Sequence, residues 1–311
     1  MYLLYRVREL INNNPFLRDI FVKIISPFTV PVLSLFDILS LKKFKRQKKY
    51  LNWKKNNPDQ IYKLKNNLKI KISDSKLSSS KSLIIQNGKY EQNETFLFKK
   101  IIKEGWNILD IGANFGWYSL HFSKMVGNSG NVYAFEPIKE THDELKSNLS
   151  LNNIANVKTY EFALGNKEYE ANFGIPFFDG GSAATSQNLS FSKKVKIPVF
   201  TLDKIFERES IKKINLIKAD IEGGELNFLL GAEKVLEKYK PNIFVEIIDM
   251  HCNRFGHKPL DVLNYLIKKN YQGFYIGNEY SDKKENYNMK DLIKPDLKNL
   301  PNGNYFFFSN S

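Results

Sequence analysis

The strongest constraint on the fold of this chain is a buried strand that runs directly into a loop containing two glycines. The apolar segment Asn107–Ile111 predicts the strand, and Gly112 and Gly116 lie in the loop before apolar residues begin to recur at helical spacing. Glycines let the backbone turn sharply and approach a ligand closely, and the first turn of the following helix offers free N–H groups. The sequence therefore predicts a ligand site where this strand ends.

Strands and helices alternate from residue 94 onward. Such alternation predicts an α/β fold with a doubly wound, mostly parallel sheet, in which ligands bind at the carboxyl ends of the strands. An excursion at about residues 165–213, with candidate strands at Tyr169–Phe173 and Val195–Phe200, predicts a hairpin over that site. Short strands are also expected at Leu68–Ile72 and Leu83–Ile85. Further strands of the main sheet are predicted at Val132–Phe135, Val157–Phe162, Ile214–Ala219, Ile243–Ile248, Gly273–Ile276 and Asn304–Phe308.

Positive charge is concentrated at the start of the chain. Residues 1–100 hold 21 Lys and Arg against 7 Asp and Glu, whereas residues 101–311 hold 26 of each, so the net charge of +14 belongs to the first hundred residues. We expect a basic helical N-terminal extension, residues 1–58, followed by one domain, residues 59–311. A basic extension on a neutral domain indicates a negatively charged partner for the extension.

Residues 20–55 combine an apolar stretch with a basic cluster in which aromatic residues are interleaved. This combination is typical of segments that bind an anionic membrane surface, where each basic residue contributes about 1 kcal/mol. The alternative is that the apolar stretch packs on the domain and the lysines are solvated. No apolar stretch reaches the roughly 20 residues that span a bilayer, no secretory signal is evident, and Cys252 is the single cysteine. We therefore expect a cytoplasmic protein, peripheral to the membrane if the extension binds it.

The glycine loop does not match the dinucleotide-binding pattern G-x-G-x-x-G. Starting at Gly112, that pattern requires glycine where Asn114 and Trp117 stand, which argues against a nicotinamide dehydrogenase. Asp110, at the strand end, suits a positive ammonium or sulfonium group better than a phosphate. Glu136 ends the next strand, where a carboxylate accepts hydrogen bonds from ribose hydroxyls. Together these residues indicate a ligand that contains adenosine.

Four segments follow one another in a recognisable order. They are Ile108–Ser119, Val132–Pro137, Thr201–Asp203 and Ile217–Glu225, with Gly88–Glu91 before them and Phe244–Ile247 after them. In this order they resemble the motifs of FkbM-type methyltransferases, over about residues 80–280. The resemblance implies a class I methyltransferase (Rossmann-like) fold with a seven-stranded sheet. It also implies methyl transfer from S-adenosyl-L-methionine, usually to a hydroxyl of a sugar or secondary metabolite.

The resemblance further implies which residues hold the methyl donor. Ala163 would lie beside the adenine, and Asp220 near the methionine end and the acceptor. The full set of cofactor-binding residues that it implies is Glu91, Asp110, Gly112, Asn114, Gly116, Glu136, Ala163 and Asp220.

Methyl transfer to a hydroxyl depends mainly on in-line positioning, because the sulfonium methyl is already activated, and a general base assists since the pKa of a hydroxyl lies far above 7. Asp220 and Glu222 flank one residue, so on an extended segment they face the same way. Glu222 could instead cap the following helix, and His251 could be a solvated residue at the rim. The candidate catalytic residues are Asp220, Glu222, Glu246 and His251.

Other residues are weaker candidates. Gly180, Gly181, Ser182 and Thr185 in the hairpin are placed to contact the acceptor or to form a flexible turn. No metal site is expected, because Asp249, His251 and His257 lack regular ligand spacing.

The expected acceptor is a small molecule or glycan, and two other functions stay open. A nucleic-acid methyltransferase would suit the basic charge. However, Asp220–Gly223 replaces the Asn/Asp-Pro-Pro-aromatic motif of enzymes that methylate base amino groups, and no RNA-recognition motif is present. The other alternative is a cofactor-binding protein without catalysis at a membrane surface, which donor binding without methyl transfer would favour.

Overall fold

The computed structural model describes residues 45–75, 77–176, 184–185, 191–276 and 300–309. The chain divides into two units between Pro58 and Asp59, and each is described by itself. In the first unit, residues 45–56 form helix α1. The helices predicted before it, and the apolar half of the predicted membrane-binding segment, lie outside the described residues. No helix in the described parts of the chain is long and apolar enough to cross a bilayer.

The second unit alternates strands and helices. Its described strands are β1 (Ile61–Lys63), β2 (Lys69–Lys71), β3 (Asn107–Ile111), β4 (Asn131–Phe135), β5 (Val157–Tyr160), β6 (Ala163–Leu164), β7 (Tyr169–Pro176), β8 (Ala184–Thr185), β9 (Phe191–Phe200), β10 (Leu216–Ala219), β11 (Asn242–Ile247), β12 (Tyr271–Ile276) and β13 (Gly303–Ser309). Its described helices are α2 (Lys81–Ile85), α3 (Gln92–Ile101), α4 (Trp117–Val126), α5 (Lys139–Leu151), α6 (Leu202–Glu209), α7 (Glu225–Leu230), α8 (Glu233–Tyr239), α9 (Asp249–Arg254) and α10 (Pro259–Lys268).

The main sheet has seven strands in the spatial order β12-β13-β11-β10-β3-β4-β5. Pairs between β11, β10, β3, β4 and β5 are parallel, whereas β13 is antiparallel to both of its neighbours. Parallel neighbours require crossover connections, which the intervening helices provide. The predicted doubly wound, mostly parallel sheet is confirmed. The chain leaves β3 toward β4 and β5 and later returns to β10 on the other side, so the strand order reverses at β3.

The central strands are buried because helices cover both faces of the sheet. All four residues of β10 are buried, including Lys218. Helix α4 packs against β3 and β4, α5 against β5, and α7 against β11. The apolar side chains of these strands form one continuous core with the helices, which fixes the positions of the strand ends.

Two smaller sheets accompany the main sheet. One has the order β6-β9-β7-β8, with β7 and β9 antiparallel and Tyr169 opposite Val199, as the hairpin prediction requires. Strands β1 and β2 form a second small antiparallel sheet, which confirms the strand predicted around Leu68–Ile72.

The strand predicted at Leu83–Ile85 is wrong, because these residues form helix α2. The N–H groups of Ser82 and Leu83 donate to carbonyls three residues earlier, which starts a helical turn. Leu83 and Ile84 are both buried, whereas adjacent residues of a strand face opposite sides. Local turn bonds and burial on one side outweigh the β-propensity of the isoleucines.

Candidate functional site

A cleft of about 280 Å³ opens where the main sheet reverses its strand order, at the carboxyl ends of β3, β4 and β10. Open parallel sheets bind their ligands at this position. Residues before α3 and from the sheet of β6, β7 and β9 complete the described walls. The predicted placement of the hairpin beside the site therefore agrees with the contribution of Tyr169, Phe173 and Val199 to the lining.

The loop after β3 requires its two glycines. Gly112 and Gly116 have φ values of +76° and +94°, a region that favours glycine. A Cβ on Gly112 would collide with the backbone oxygen of Asp220, and one on Gly116 would lie 2.7 Å from a methyl carbon of Leu145. Asn114 also has positive φ, and its side-chain oxygen accepts a hydrogen bond from the N–H of Phe115 at 2.8 Å. The loop thus packs directly against the end of β10 and against α5.

Glu136 holds one side of the cleft in place. It is 6% exposed. One carboxylate oxygen accepts from the N–H of Ile138 at 3.0 Å and from the Thr141 hydroxyl at 2.9 Å. The other oxygen accepts from the N–H of Asn114 at 2.9 Å. Because a carboxylate oxygen can accept two hydrogen bonds, the second oxygen retains capacity for a ligand hydroxyl, as predicted for ribose.

Apolar side chains line the cleft beyond Glu136. Ile138, Phe162 and Leu164 are largely buried and contribute to its wall. Ala163, which was expected beside the adenine, lines the same part of the cleft. This part of the cleft suits a flat, apolar ring system such as a purine.

A buried lysine lies beneath the glycine loop. Lys218 is 2% exposed, and its ammonium donates a hydrogen bond to the backbone oxygen of Gly112 at 3.2 Å. The ammonium lies 3.6 Å from Oδ1 of Asp110, 3.8 Å from Oδ2 of Asp220 and 5.0 Å from the ring centre of Tyr118. Burial lowers the pKa of Lys218, but the surrounding carboxylates, of which Asp220 and Asp110 contribute most, raise it by more, so the side chain stays charged.

Asp110 supports this arrangement from below. It is fully buried, and Oδ2 accepts a hydrogen bond from the Ser119 hydroxyl at 2.6 Å while Oδ1 faces Lys218. Asp110 is not among the residues that line the cleft. The carboxylate predicted to face a positive ligand group instead anchors Ser119 and Lys218.

Four carboxylates line the cleft on the side of β10 and β11: Glu91, Asp220, Glu222 and Glu246. Burial raises the pKa of Glu246 to about 9, and the charges of Asp220 and Glu222 add to this. Burial raises the pKa of Glu91 to about 7, again with a contribution from Asp220. Crowded carboxylates in a partly desolvated site favour a bound cation.

The loop from Asp220 to Glu225 presents Glu222 to the cleft. Glu225 caps this loop, since its Oε1 accepts from the N–H groups of Ile221 at 3.0 Å and Gly223 at 3.3 Å. Helix α7 shows no side-chain cap from Glu222, so the alternative role of Glu222 as a cap is wrong. Glu222 adopts φ of 58°, a costly conformation for a non-glycine residue that is concentrated at functional sites.

His251 lies behind Glu222. Its Nδ1 is 3.2 Å from Oε2 of Glu222 and 4.0 Å from Oε2 of Glu246, and the histidine side chain is 13% exposed. Burial lowers the pKa of His251, although Glu222 opposes this. His251 does not line the cleft, and its burial contradicts the alternative of a solvated rim residue. The structure thus brings together Glu222, Glu246 and His251.

Several contributors were missed by the sequence interpretation. Lys218, Tyr90 and Tyr118 line the cleft. Thr141 donates to Glu136 in the cleft wall, and Ser119 donates to Asp110 beneath it. Only Lys218 carries a recognisable signal, namely a charge inside an otherwise apolar strand. Of the hairpin candidates, Gly180, Gly181 and Ser182 lie outside the described residues, as does the side chain of Thr185.

Comparisons with known proteins show similarity to methyltransferases. The family model described as "Methyltransferase FkbM domain" matches residues 110–274. "Methyltransferase 1" of Beauveria bassiana is 27% identical over 163 residues, covering 46% of this chain and 64% of that protein. "Hexuronic acid methyltransferase AglP" of Haloferax volcanii is 28% identical over 177 residues, covering 57% and 67%. The chain therefore spans about two thirds of the length of these relatives. A solved structure of a methyltransferase FkbM from Methylobacillus flagellatus aligns with a TM-score of 0.41 at 16% identity, covering 76% of this chain and 56% of that one.

Proposed function

This chain belongs to the FkbM methyltransferase family, and we propose that it transfers a methyl group from S-adenosylmethionine to a hydroxyl oxygen of a sugar, glycolipid or secondary metabolite. The observation that carries the choice of a hydroxyl is the pair formed by Glu222, which lines the cleft, and His251 behind it. A hydroxyl must lose its proton during transfer, and this pair is placed to accept one.

The residues of the cleft fit the donor. Glu136 would accept a hydrogen bond from a ribose hydroxyl through the oxygen that now accepts only from Asn114, and Phe162 and Ile138 would contact the adenine. On the other side of the glycine loop, Asp220 and Glu91 would face the ammonium and sulfonium charges. The adenine, the ribose and the positively charged end of the donor would thus meet, in that order, the apolar, hydroxyl-binding and acidic groups along the cleft.

S-adenosylmethionine, when bound, supplies a methyl group that is already activated by the sulfonium. Glu222 would accept the proton that the acceptor hydroxyl releases. His251 would orient the Glu222 carboxylate through the 3.2 Å contact. Glu246, whose pKa is raised mainly by burial, would in its protonated form donate a hydrogen bond to the acceptor rather than accept its proton.

The acceptor class rests on the relatives. One of them is named for hexuronic acid, which supports an acceptor of the sugar class. The alternative of a nucleic-acid acceptor has no cleft residue in its favour, since Lys218 is the cation among the described lining residues and it is buried.

The test is methyl transfer from radiolabelled S-adenosylmethionine to a panel of free and lipid-linked glycans, with transfer RNA as a second acceptor class. With the acceptor found, Glu222→Gln should lower kcat at least about 100-fold and change the Kd of S-adenosylhomocysteine less than threefold. Glu237→Gln, an exposed position outside the cleft, should change neither. Full activity of Glu222→Gln would remove the assigned base, label in RNA alone would favour the nucleic-acid alternative, and donor binding without transfer to any acceptor would favour a non-catalytic role.

We further propose that the protein is cytoplasmic and that its basic extension binds an anionic membrane surface. In α1, Lys45, Arg46 and Lys48 are exposed, and Leu51 is 54% exposed, so this helix offers both charge and an apolar side chain to a membrane. The full chain should sediment with vesicles containing phosphatidylserine and not with neutral phosphatidylcholine vesicles. A Lys45→Glu, Arg46→Glu, Lys48→Glu variant should lose this binding, and unchanged sedimentation would refute the role of α1.

A further inference from the structure

We propose that Lys218 is a positioning residue, which ties the glycine loop to the end of β10 and thereby holds Asp220 where the amino-acid end of S-adenosylmethionine binds. The inference rests on the proposed function only for the identity of the donor. It concerns a side chain that the chemistry described above does not use.

The contacts of Lys218 join separate parts of the site. Its three N–H donors face the backbone oxygen of Gly112 at 3.2 Å, Asp110 at 3.6 Å and Asp220 at 3.8 Å. Gly112 belongs to the loop after β3, and Asp220 follows β10. The ring of Tyr118, from α4, lies 5.0 Å from the ammonium. One buried cation therefore contacts two strand ends and the helix that follows the loop.

The simplest alternative is that Lys218 only neutralises the buried Asp110. An unpaired buried charge is costly, and the pair would satisfy that need by itself. Two observations are not explained by neutralisation of Asp110 alone. Asp220 has a side chain that is 33% exposed, so it does not need a buried partner for its own solvation. The ammonium also donates to the carbonyl of Gly112, which carries no charge to neutralise.

Backbone packing transmits any shift of Lys218 to the donor site. A Cβ on Gly112 would collide with the backbone oxygen of Asp220, so the loop and the end of β10 are already in contact. The lysine links the same two segments through side-chain contacts. When it is removed, Asp220 loses its nearest described cation and the loop carbonyl loses its donor.

The effect of removing Lys218 should be largest at one end of the cleft. Two of the three groups that donate hydrogen bonds to Glu136 belong to Ile138 and Thr141, which lie after β4 on the opposite side of β3 from β10, and the third belongs to Asn114 in the loop. Loss of Lys218 should therefore weaken contacts with the amino-acid end of the donor and spare those with the adenosine end.

The experiment compares two ligands by isothermal titration. S-adenosylhomocysteine carries the amino-acid end, and 5′-methylthioadenosine lacks it. In Lys218→Met we expect the Kd of S-adenosylhomocysteine to rise at least tenfold and that of methylthioadenosine to change less than threefold. An equal change for both ligands would overturn the proposal.

A double variant separates positioning from charge neutralisation. Asp110→Asn combined with Lys218→Met removes both members of the buried pair, so its melting temperature should recover relative to Lys218→Met alone. If Lys218 positions Asp220, the double variant keeps the selective loss of S-adenosylhomocysteine. If it recovers the wild-type ratio of the two dissociation constants, Lys218 is only a counter-ion and the proposal is wrong.

Asp220→Asn provides an arm that leaves Lys218 in place, and it tests the part of the proposal that concerns Asp220 even if the Lys218 variants do not fold. It should reproduce the selective loss, and an unchanged ratio would show that Asp220 does not hold the amino-acid end. A wild-type protein that binds neither ligand would contradict the donor assignment itself rather than the role of Lys218.

Discussion

Replacing Glu246 with Gln should stabilise the ligand-free protein at pH 8 and leave its stability unchanged near pH 4. The pKa of Glu246 rises from 4.5 to about 9, first because the side chain is buried and then because Asp220 and Glu222 lie nearby. Below pH 4.5 the carboxyl is protonated in both the folded and unfolded states. Between pH 4.5 and 9 the folded state retains a proton that the unfolded state releases, so the free energy of unfolding falls as pH rises.

The size of the effect follows from this difference in pKa. Each unit corresponds to about 1.4 kcal/mol, so the carboxyl lowers the free energy of unfolding by at most about 3 kcal/mol at pH 7. The side chain is 26% exposed and shares the repulsion with two other carboxylates. We therefore expect Glu246→Gln to gain about 1.5 kcal/mol at pH 7, which raises Tm by roughly 3–6 °C for a domain of this size.

The assay is thermal unfolding without donor at pH 4, 6, 7 and 8. The matched control is Glu237→Gln, because hydrogen bonding to Lys269 lowers the pKa of this exposed carboxylate. Its charge stabilises the fold fully above the unfolded pKa and progressively less as pH falls through the lowered folded pKa, so the control should be slightly less stable than wild type at pH 8, with a smaller difference at pH 4. A gain for Glu246→Gln that is equal at pH 4 and pH 8, or a loss at pH 8, would refute the electrostatic reasoning.

Three further predictions concern the donor loop and the two ends of the cleft. Glu136→Gln places an amide N–H₂ against backbone donors and should weaken S-adenosylhomocysteine binding by about 2 kcal/mol, measured by titration; unchanged affinity would contradict the ribose contact. In chemical denaturation, Gly112→Ala should lower the free energy of unfolding by at least about 3 kcal/mol, because its Cβ would collide with the backbone oxygen of Asp220. Gly256→Ala, which also has positive φ but nothing within 4 Å of the added Cβ, should lower it by about 1 kcal/mol; equal losses in the two variants would argue against the collision at Gly112. Because carboxylates line the acceptor end, initial rates with matched aryl glycosides should be higher for the glucoside and glucosaminide than for the glucuronide, and a preference for the glucuronide would show the opposite.

The sequence predicts the frame of the site more accurately than its chemistry. The central strands β3, β10 and β11 are short, mainly apolar runs whose burial leaves little choice of structure, and their observed bounds lie close to those expected. The glycine loop and Glu136 were predicted because strand ends in such sheets meet at one edge. Tertiary contacts decided the rest. Glu225, rather than Glu222, caps the loop after β10, and no spacing rule distinguishes two glutamates three residues apart.

Asp110 illustrates how a residue at a predicted position can have partners that the sequence does not reveal. Its position at the end of β3 was predicted, but the direction of its side chain depends on the partners beneath the loop. Ser119 lies in the first turn of α4 and donates to Asp110, and Lys218 approaches from the neighbouring strand. Neither contact follows from local sequence, because each joins segments brought together by sheet order alone.

Lys218 could have been predicted, since its position in β10 carries two signals. A lysine between Ile217 and Ala219 in a central parallel strand has no solvent to reach, so it must face an anion. Side chains alternate along a strand, so Lys218 and Asp220 share a face while Ile217 and Ala219 share the other, as the 3.8 Å contact shows. A buried cation directly below the carboxylate that ends its own strand is thus encoded in three consecutive positions.

The cleft carboxylates Glu91 and Glu246 both have raised pKa values. Lys218 is the cation among the described residues that line the cleft, and it already contacts Asp110 and Asp220. The positive sulfonium and ammonium groups of the donor would balance the charges of Asp220 and Glu91, which would favour the charged donor over its neutral thioether product.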